Sequence, residues 1–268
     1  PVTDLFAAAI MPGLMLAVLY TGYTLIRCHL NPNLGPVVPE DLIPDSMKEV
    51  WVEFFKGLVP PVLLVGSSLG SILAGWATPT EGAAMGAVGS ILLTLAYRKL
   101  TFESFKSSLL KTLEITTLIM VLVCASNFFG SVFSRLGTPT MITEYLMLLD
   151  LPPTAILLII MAFIFLLAWP LEWVPIVLII IPIVLPLIEQ LGFNLTWFGI
   201  LVAVNLQTAW LSPPVALSAY FLKGVVPEWD LADIYKGMMQ FMAIQVVGLA
   251  LIIIFPQIVL WLPTYLYG

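Results

Sequence analysis

The feature that most constrains this chain is a series of long stretches with no charged residue. Leu5–Ile26, 57–80, Ile115–Ser134, 151–171 and 237–268 each carry no Asp, Glu, Lys or Arg. A helix needs about 20 apolar residues to cross the hydrocarbon core of a bilayer, and these runs supply them. Because 60% of the 268 residues are hydrophobic and 10% are charged, a water-soluble globule would have to expose apolar surface almost everywhere. The fold class is therefore an all-α integral membrane protein that crosses the bilayer several times, with about nine membrane-embedded segments expected. A formal net charge of -6 gives no basic footprint for nucleic acid. The two cysteines, Cys28 and Cys124, and the single histidine, His29, make neither a disulfide framework nor a metal cluster.

The connections differ in character. Residues 27–56 read as an irregular, proline-containing loop followed by a short helix from about Ser46. Arg98–Lys111 places Phe102, Phe105 and Leu109 on one helical face, and 230–236 repeats the pattern behind Asp230 as N-cap, so both are expected along the membrane interface. The basic cluster Arg98, Lys99, Lys106 and Lys111 puts that connection in the cytoplasm. Gly66, Gly70 and Gly75, with Ser67, Ser68 and Ser71, read as a close-packing face. Trp261, Tyr265 and Tyr267 suit an interfacial aromatic belt.

The chemistry is expected where apolar segments are interrupted, because lipid satisfies no backbone hydrogen bonds. Thr78-Pro79-Thr80-Glu81 has the form of a capping box with proline at the first helical position. Its plain reading is a helix start, although a carboxylate in an apolar region also invites a functional role. At Trp169-Pro170-Leu171-Glu172-Trp173, the arms on either side are near or below spanning length. A re-entrant hairpin with its tip near Glu172 fits this pattern, and so do two ordinary spans joined by a solvated turn. Asn205-Leu206-Gln207-Thr208, followed by Leu211-Ser212-Pro213-Pro214, breaks a third run. Pro213 removes a donor and drives Ser212 out of helical backbone, so the helix should stop near Leu211 and restart with Ser212 as cap and Pro213 at its first position. Free carbonyls near Thr208, Leu211 and Ser212, with the Asn205, Gln207 and Thr208 side-chain oxygens, suit sodium, and the following free amides suit a carboxylate. The alternative is a ligand-free proline kink.

At these three motifs the chain resembles the large membrane subunit of tripartite ATP-independent periplasmic (TRAP) transporters. Gly75-Trp-Ala-Thr-Pro-Thr-Glu-Gly-Ala-Ala, Leu171-Glu172-Trp173 and Asn205-Leu-Gln-Thr-Ala-Trp-Leu-Ser-Pro-Pro-Val are similar to that family's signatures, in order. The resemblance runs from Pro12-Gly13 to Leu262-Pro263. It implies a sodium-coupled, elevator-type importer of small organic acids in the bacterial inner membrane. It also implies a periplasmic substrate-binding protein and a small four-helix membrane subunit as partners. The coupling sodium is the one ion implied, and there is no other cofactor. In that scheme residues 1–30 end a first half-repeat, 31–56 connect, and 57–268 form the second. The second half-repeat would hold a hairpin at about 152–190, a broken helix at about 197–223 and a C-terminal helix at about 237–263. A structural membrane subunit or a transport-incompetent piece would share the composition. An integral-membrane enzyme finds no HExxH or GxSxG signature, and no catalytic residue is expected.

Overall fold

A computed structural model describes residues 1–35, 46–171, 173–213 and 216–268. Every regular element among them is helical, as the composition requires. In chain order they are α1 (Val2–Leu30), a 3-10 turn (Pro32–Leu34), α2 (Met47–Leu73), α3 (Pro79–Ala96), α4 (Phe102–Arg135), α5 (Thr138–Met147) and α6 (Pro153–Ala168). Next come α7 (Trp173–Gln190), α8 (Leu195–Leu206), α9 (Thr208–Leu211), α10 (Leu217–Val225), α11 (Leu231–Ile254) and α12 (Gln257–Tyr267). Five of these, α1, α2, α4, α7 and α11, are long and apolar enough to cross a membrane, while α6 and Leu195–Leu211 are shorter apolar helices.

The chain divides into two compact units, one of residues 1–7 and 22–114 and the other of residues 8–21 and 115–268. In the first, α2 packs on α3 through glycines. An added Cβ at Gly82 would lie 2.6 Å from Ile72 Cδ1, and one at Gly89 would lie 2.4 Å from Leu64 Cδ1. Ser68 Oγ donates to Gly82 O at 2.7 Å across the same seam. Small residues let backbones approach where apolar burial supplies no drive, as in lipid. The expectation of a close-packing face holds for Ser68 and the buried Ser71 but not for Gly66, Gly70 and Gly75, where an added Cβ would meet nothing within 4 Å. The short helix expected from Ser46 begins there, with Ser46 Oγ accepting from Lys48 N at 3.3 Å. It then runs on as a 27-residue helix through Pro60 and Pro61.

The second unit holds the main core. Along α6 the buried residues Ile156, Leu157, Ile160, Met161 and Ile164 recur every three or four positions and form one face. They meet Leu187 and Ile188 of α7, Phe198 and Leu201 of α8, Ile252 of α11 and Val259 of α12. Asn194 caps α8 by accepting from Trp197 N at 3.0 Å, and Trp197 Nε1 reaches Ile252 O on α11 at 3.1 Å. The middle of α1 lies on α11, where a Cβ at Gly248 would come within 2.5 Å of Leu16.

Two expected interfacial helices take another form. Residues 102–111 open a continuous 34-residue helix, and 231–236 open a continuous 24-residue helix, so neither is separate from the span that follows. No proline stops either helix at the point where the polarity changes, and Gly237 is carried within the second without a break. Asp230 does cap its helix, accepting from Ala232 N at 3.2 Å. The C-terminal helix is likewise divided, because Pro256 supplies no amide and α11 ends at Ile254.

Candidate functional site

The second unit brings two of the three interrupted segments together. In sequence, residues 169–172 separate helices α6 and α7. At 16 residues α6 is about 24 Å long, below the roughly 30 Å of a hydrocarbon core. The second arm starts at Trp173, and its early part, Ile176–Ile180, is a π turn. Pro182 has no N–H to close the regular ladder, and the amide of Ile181 bonds Ile176 O, five residues back. Glu172, the residue expected at the tip, lies outside the described residues.

The broken helix packs against both arms. Gln207 separates α8 from α9, and the helix stops at Leu211, as its proline pair predicts. Ser212 is extended at φ -104 and ψ 135. The restart differs from expectation: α10 begins at Leu217, with Ala216 in the cap position at φ 28 and ψ 52, and no side chain caps it. Ser212 is therefore not the cap, and Pro213 is not the first helical residue. A second proline at position 214 disfavours helical backbone at Pro213 as Pro213 does at Ser212, and among the described residues the helix resumes at Leu217. Pro214 itself lies outside the described residues. The Ala216 amide returns to Ser212 O at 2.9 Å.

The predicted residues occupy different surroundings. Asn205 is fully buried, and its Nδ2 donates to Met161 O on α6 at 2.9 Å. Its Oδ1 has no partner, and the residue borders a cavity of about 270 Å³ with Met161, Phe165 and Leu249. Gln207 faces the other way and lines a cavity of about 490 Å³ between α7 and α8 with Trp173, Val177, Val202, Leu206 and Trp210. Residues two apart on a helix point to nearly opposite sides, so one broken helix serves both cavities. Thr208 Oγ1 is buried and donates to Asn205 O at 2.6 Å. Ser212 Oγ is fully buried and has no partner among the described residues. Leu211 packs with Ala216, Ala219, Ile234 and Met238, and Pro213 is exposed.

The capping box is formed as expected. Glu81 Oε2 accepts from Thr78 N at 2.7 Å and from Thr78 Oγ1 at 2.8 Å, and Glu81 N donates to Thr78 Oγ1 at 3.3 Å, with Pro79 and Thr80 opening the helix. These bonds satisfy the helix start, and the box belongs to the first unit.

Two residues that the sequence analysis passed over matter here. Gln245 of α11 is buried, and its Nε2 donates to Val204 O at 3.0 Å and to Gln207 Oε1 at 2.6 Å. Tyr20 of α1 donates to Gln245 Oε1. The signal was available: Gln245 is a polar residue in the middle of an otherwise apolar span, and such a residue turns toward protein rather than lipid.

Two buried oxygens on the broken helix, Asn205 Oδ1 and Ser212 Oγ, and one buried nitrogen between α6 and α7, Trp169 Nε1, thus have no hydrogen-bond partner among the described residues. Leaving such a group unpaired costs about 1–3 kcal/mol, so these atoms mark places where a ligand, ion or water has something to satisfy.

The sequence model of the tripartite ATP-independent periplasmic transporter, DctM component, matches residues 1–258. The sialic acid TRAP transporter large permease protein SiaM of Vibrio cholerae is 27% identical over 267 residues, covering 98% of this chain and 60% of the relative. The C4-dicarboxylate TRAP transporter large permease protein DctM of Pseudomonas aeruginosa is 28% identical over 268 residues, covering 99% and 60%. The sialic acid TRAP transporter permease protein SiaT of Haemophilus influenzae is 25% identical, covering 99% and 42%. This chain therefore spans about half of the length of these curated relatives.

Proposed function

The chain belongs to the DctM component family of tripartite ATP-independent periplasmic transporters, and from that premise we propose that it serves in a sodium-coupled importer of small organic acids. The observation that carries this reading is the helix interrupted between Leu206 and Leu217, with buried, unbonded Asn205 Oδ1 and Ser212 Oγ beside the interruption. Packing alone gains nothing from an oxygen left bare in an apolar interior, and a sodium ion would turn that cost into affinity. Asn205, Ser212 and the carbonyls near Thr208 and Leu211 are the groups that would hold the ion. Ion binding at a discontinuous helix near the membrane midplane is how secondary transporters couple a gradient to a substrate.

The substrate class follows from the relatives. Sialic acid and C4-dicarboxylates, for which these permeases are named, share a carboxylate. The acid would be delivered by a periplasmic binding protein and would cross the inner membrane with a small four-helix subunit alongside. No step of this cycle breaks a covalent bond, and the homologues are permease subunits rather than enzymes.

The test is uptake in vesicles that hold the complete permease containing this chain, with its binding protein outside. An inward sodium gradient should drive accumulation of succinate or sialic acid, and replacing sodium by choline should abolish it. Accumulation that persists without sodium would overturn the coupling, and loss of uptake for every carboxylate tried would overturn the substrate class.

A further inference from the structure

The side chain of Gln207 has an acceptor end and a donor end, and its neighbours decide which one meets the 490 Å³ cavity. The decision starts at Val204, whose main-chain oxygen can only accept. Gln245 must therefore turn its nitrogen toward it, and Nε2 lies 3.0 Å away. That nitrogen can only donate, so Gln207 must answer with its oxygen, and Oε1 lies 2.6 Å from it. On the far side, Gln245 Oε1 is left to accept from the hydroxyl of Tyr20, whose ring sits edge-on to Phe241 at 5.5 Å. One acceptor-only carbonyl thus fixes the polarity of the row. With Oε1 committed, Gln207 retains Nε2 and its two N–H groups, which make no hydrogen bond among the described residues. Its side chain is exposed where it borders the cavity, next to Trp173 and Trp210.

The same logic gives the opposite result two residues earlier. Asn205 Nδ2 faces Met161 O, another acceptor-only group, so the end left over is the oxygen Oδ1. The broken helix thereby presents an acceptor on one side and a pair of donors on the other.

We infer that Gln207 is a hydrogen-bond donor to the carboxylate of the transported acid rather than a ligand of the coupling cation, and that Gln245 is the positioning residue that fixes this polarity. The inference rests on the organic-acid reading above and reverses the expectation that the Gln207 oxygen faces sodium. An N–H pair carries partial positive charge, so it repels a cation and attracts an oxyanion. The largely apolar walls around Gln207 strengthen that preference because they exclude competing water.

Gln207→Glu tests the first half in the complete, purified permease. It replaces the free donor with an acceptor while keeping length and shape. The KM for succinate or sialic acid should rise by about tenfold or more, the loss expected for a hydrogen bond to a charged group, while the sodium concentration that half-stabilises the protein against heat stays as in the wild type. Gln207→Leu, which also removes the donor, should show the same split and stands in if the glutamate variant does not fold. Gln245→Leu tests the second half: it releases Gln207 to turn over, so KM should rise without a change in sodium half-saturation. Tyr20→Phe keeps the Gln245–Val204 bond and should leave KM near the wild-type value. A shift in sodium half-saturation with Gln207→Glu, or an unchanged KM in either the Gln207 or the Gln245 variants, overturns the inference. If the wild type takes up neither acid, the organic-acid reading fails instead, and the sodium titration of Gln207→Glu still decides whether Gln207 touches the cation.

Discussion

Replacing Asn205 with leucine separates a structural role from an ion-binding one. The two side chains have similar volume, so the fully buried site keeps its packing. The variant loses the bond from Nδ2 to Met161 O, worth about 0.6 kcal/mol for an average pair inside a membrane protein and up to about 1.5 kcal/mol in general. It also removes Oδ1, an acceptor with no partner, whose burial costs about 1–3 kcal/mol. The difference lies between about 2.4 kcal/mol of stabilisation and about 0.5 kcal/mol of destabilisation, so without sodium the variant should unfold close to or slightly above the wild type. Sodium changes the comparison. An ion present at a hundred times its dissociation constant adds about 2.7 kcal/mol to the protein that binds it, and Asn205→Leu should lose most of that increment. The measurement is thermal unfolding in detergent, in sodium chloride against choline chloride at equal ionic strength. If sodium stabilises the variant as much as the wild type, Asn205 holds no ion. If the variant loses more than about 3 kcal/mol with no sodium present, Oδ1 already has a structural partner and the premise is wrong.

Three further outcomes follow from single contacts. Gly82→Ala pushes a methyl to within 2.6 Å of Ile72 and 3.1 Å of the Ser68 main-chain oxygen, so the α2–α3 pair should weaken by about 1–3 kcal/mol, read as a lower midpoint of denaturant-induced unfolding. Thr78→Ala removes the hydroxyl that accepts from Glu81 N, at a cost of about 1 kcal/mol, and hydrogen exchange at the first turn of α3 should quicken while the second unit is unaffected. Pro213→Ala combined with Pro214→Ala allows helix to continue past Leu211, so sodium stabilisation should fall while the protein still inserts; retention of full sodium stabilisation would show that the interruption is not what binds the ion.

The fold class and the places where helices fail were legible because both follow from local chemistry. A charge-free run of 20 residues has few alternatives to a membrane helix, and two successive prolines remove two donors just past Leu211, where the helix stops, although Pro60 and Pro61 stay within α2. Thr78 with Glu81, Asn194 and Asp230 cap their helices through bonds within three residues, so nothing distant could override them. The failures share a cause as well. Ser212 looked like a cap because Ser-Pro commonly begins a helix, yet the second proline delays the restart to Leu217. Gly66 and Gly70 looked like a packing face by spacing, but the faces that meet are chosen by partners across the pair, and Gly82 and Gly89 hold that position.

The polarity of the broken helix was not legible at all, because an amide in a sequence has no direction. Asn205 and Gln207 both read as oxygen donors, since either oxygen suits a cation. What sets them apart is a main-chain carbonyl more than 40 residues away in one case, Met161 O against Asn205, and a glutamine on another helix in the other, Gln245 against Gln207. Each contact removes one end of the amide from use and leaves the other without a partner among the described residues. A cation and an anion can then be held on opposite sides of one short stretch of chain without a charged side chain in either place. That arrangement suits a membrane interior, where each buried charge would cost several kcal/mol, on the order of 2.5 or more, and would persist when the ligand leaves. Neutral amides oriented by neutral carbonyls cost far less to keep empty.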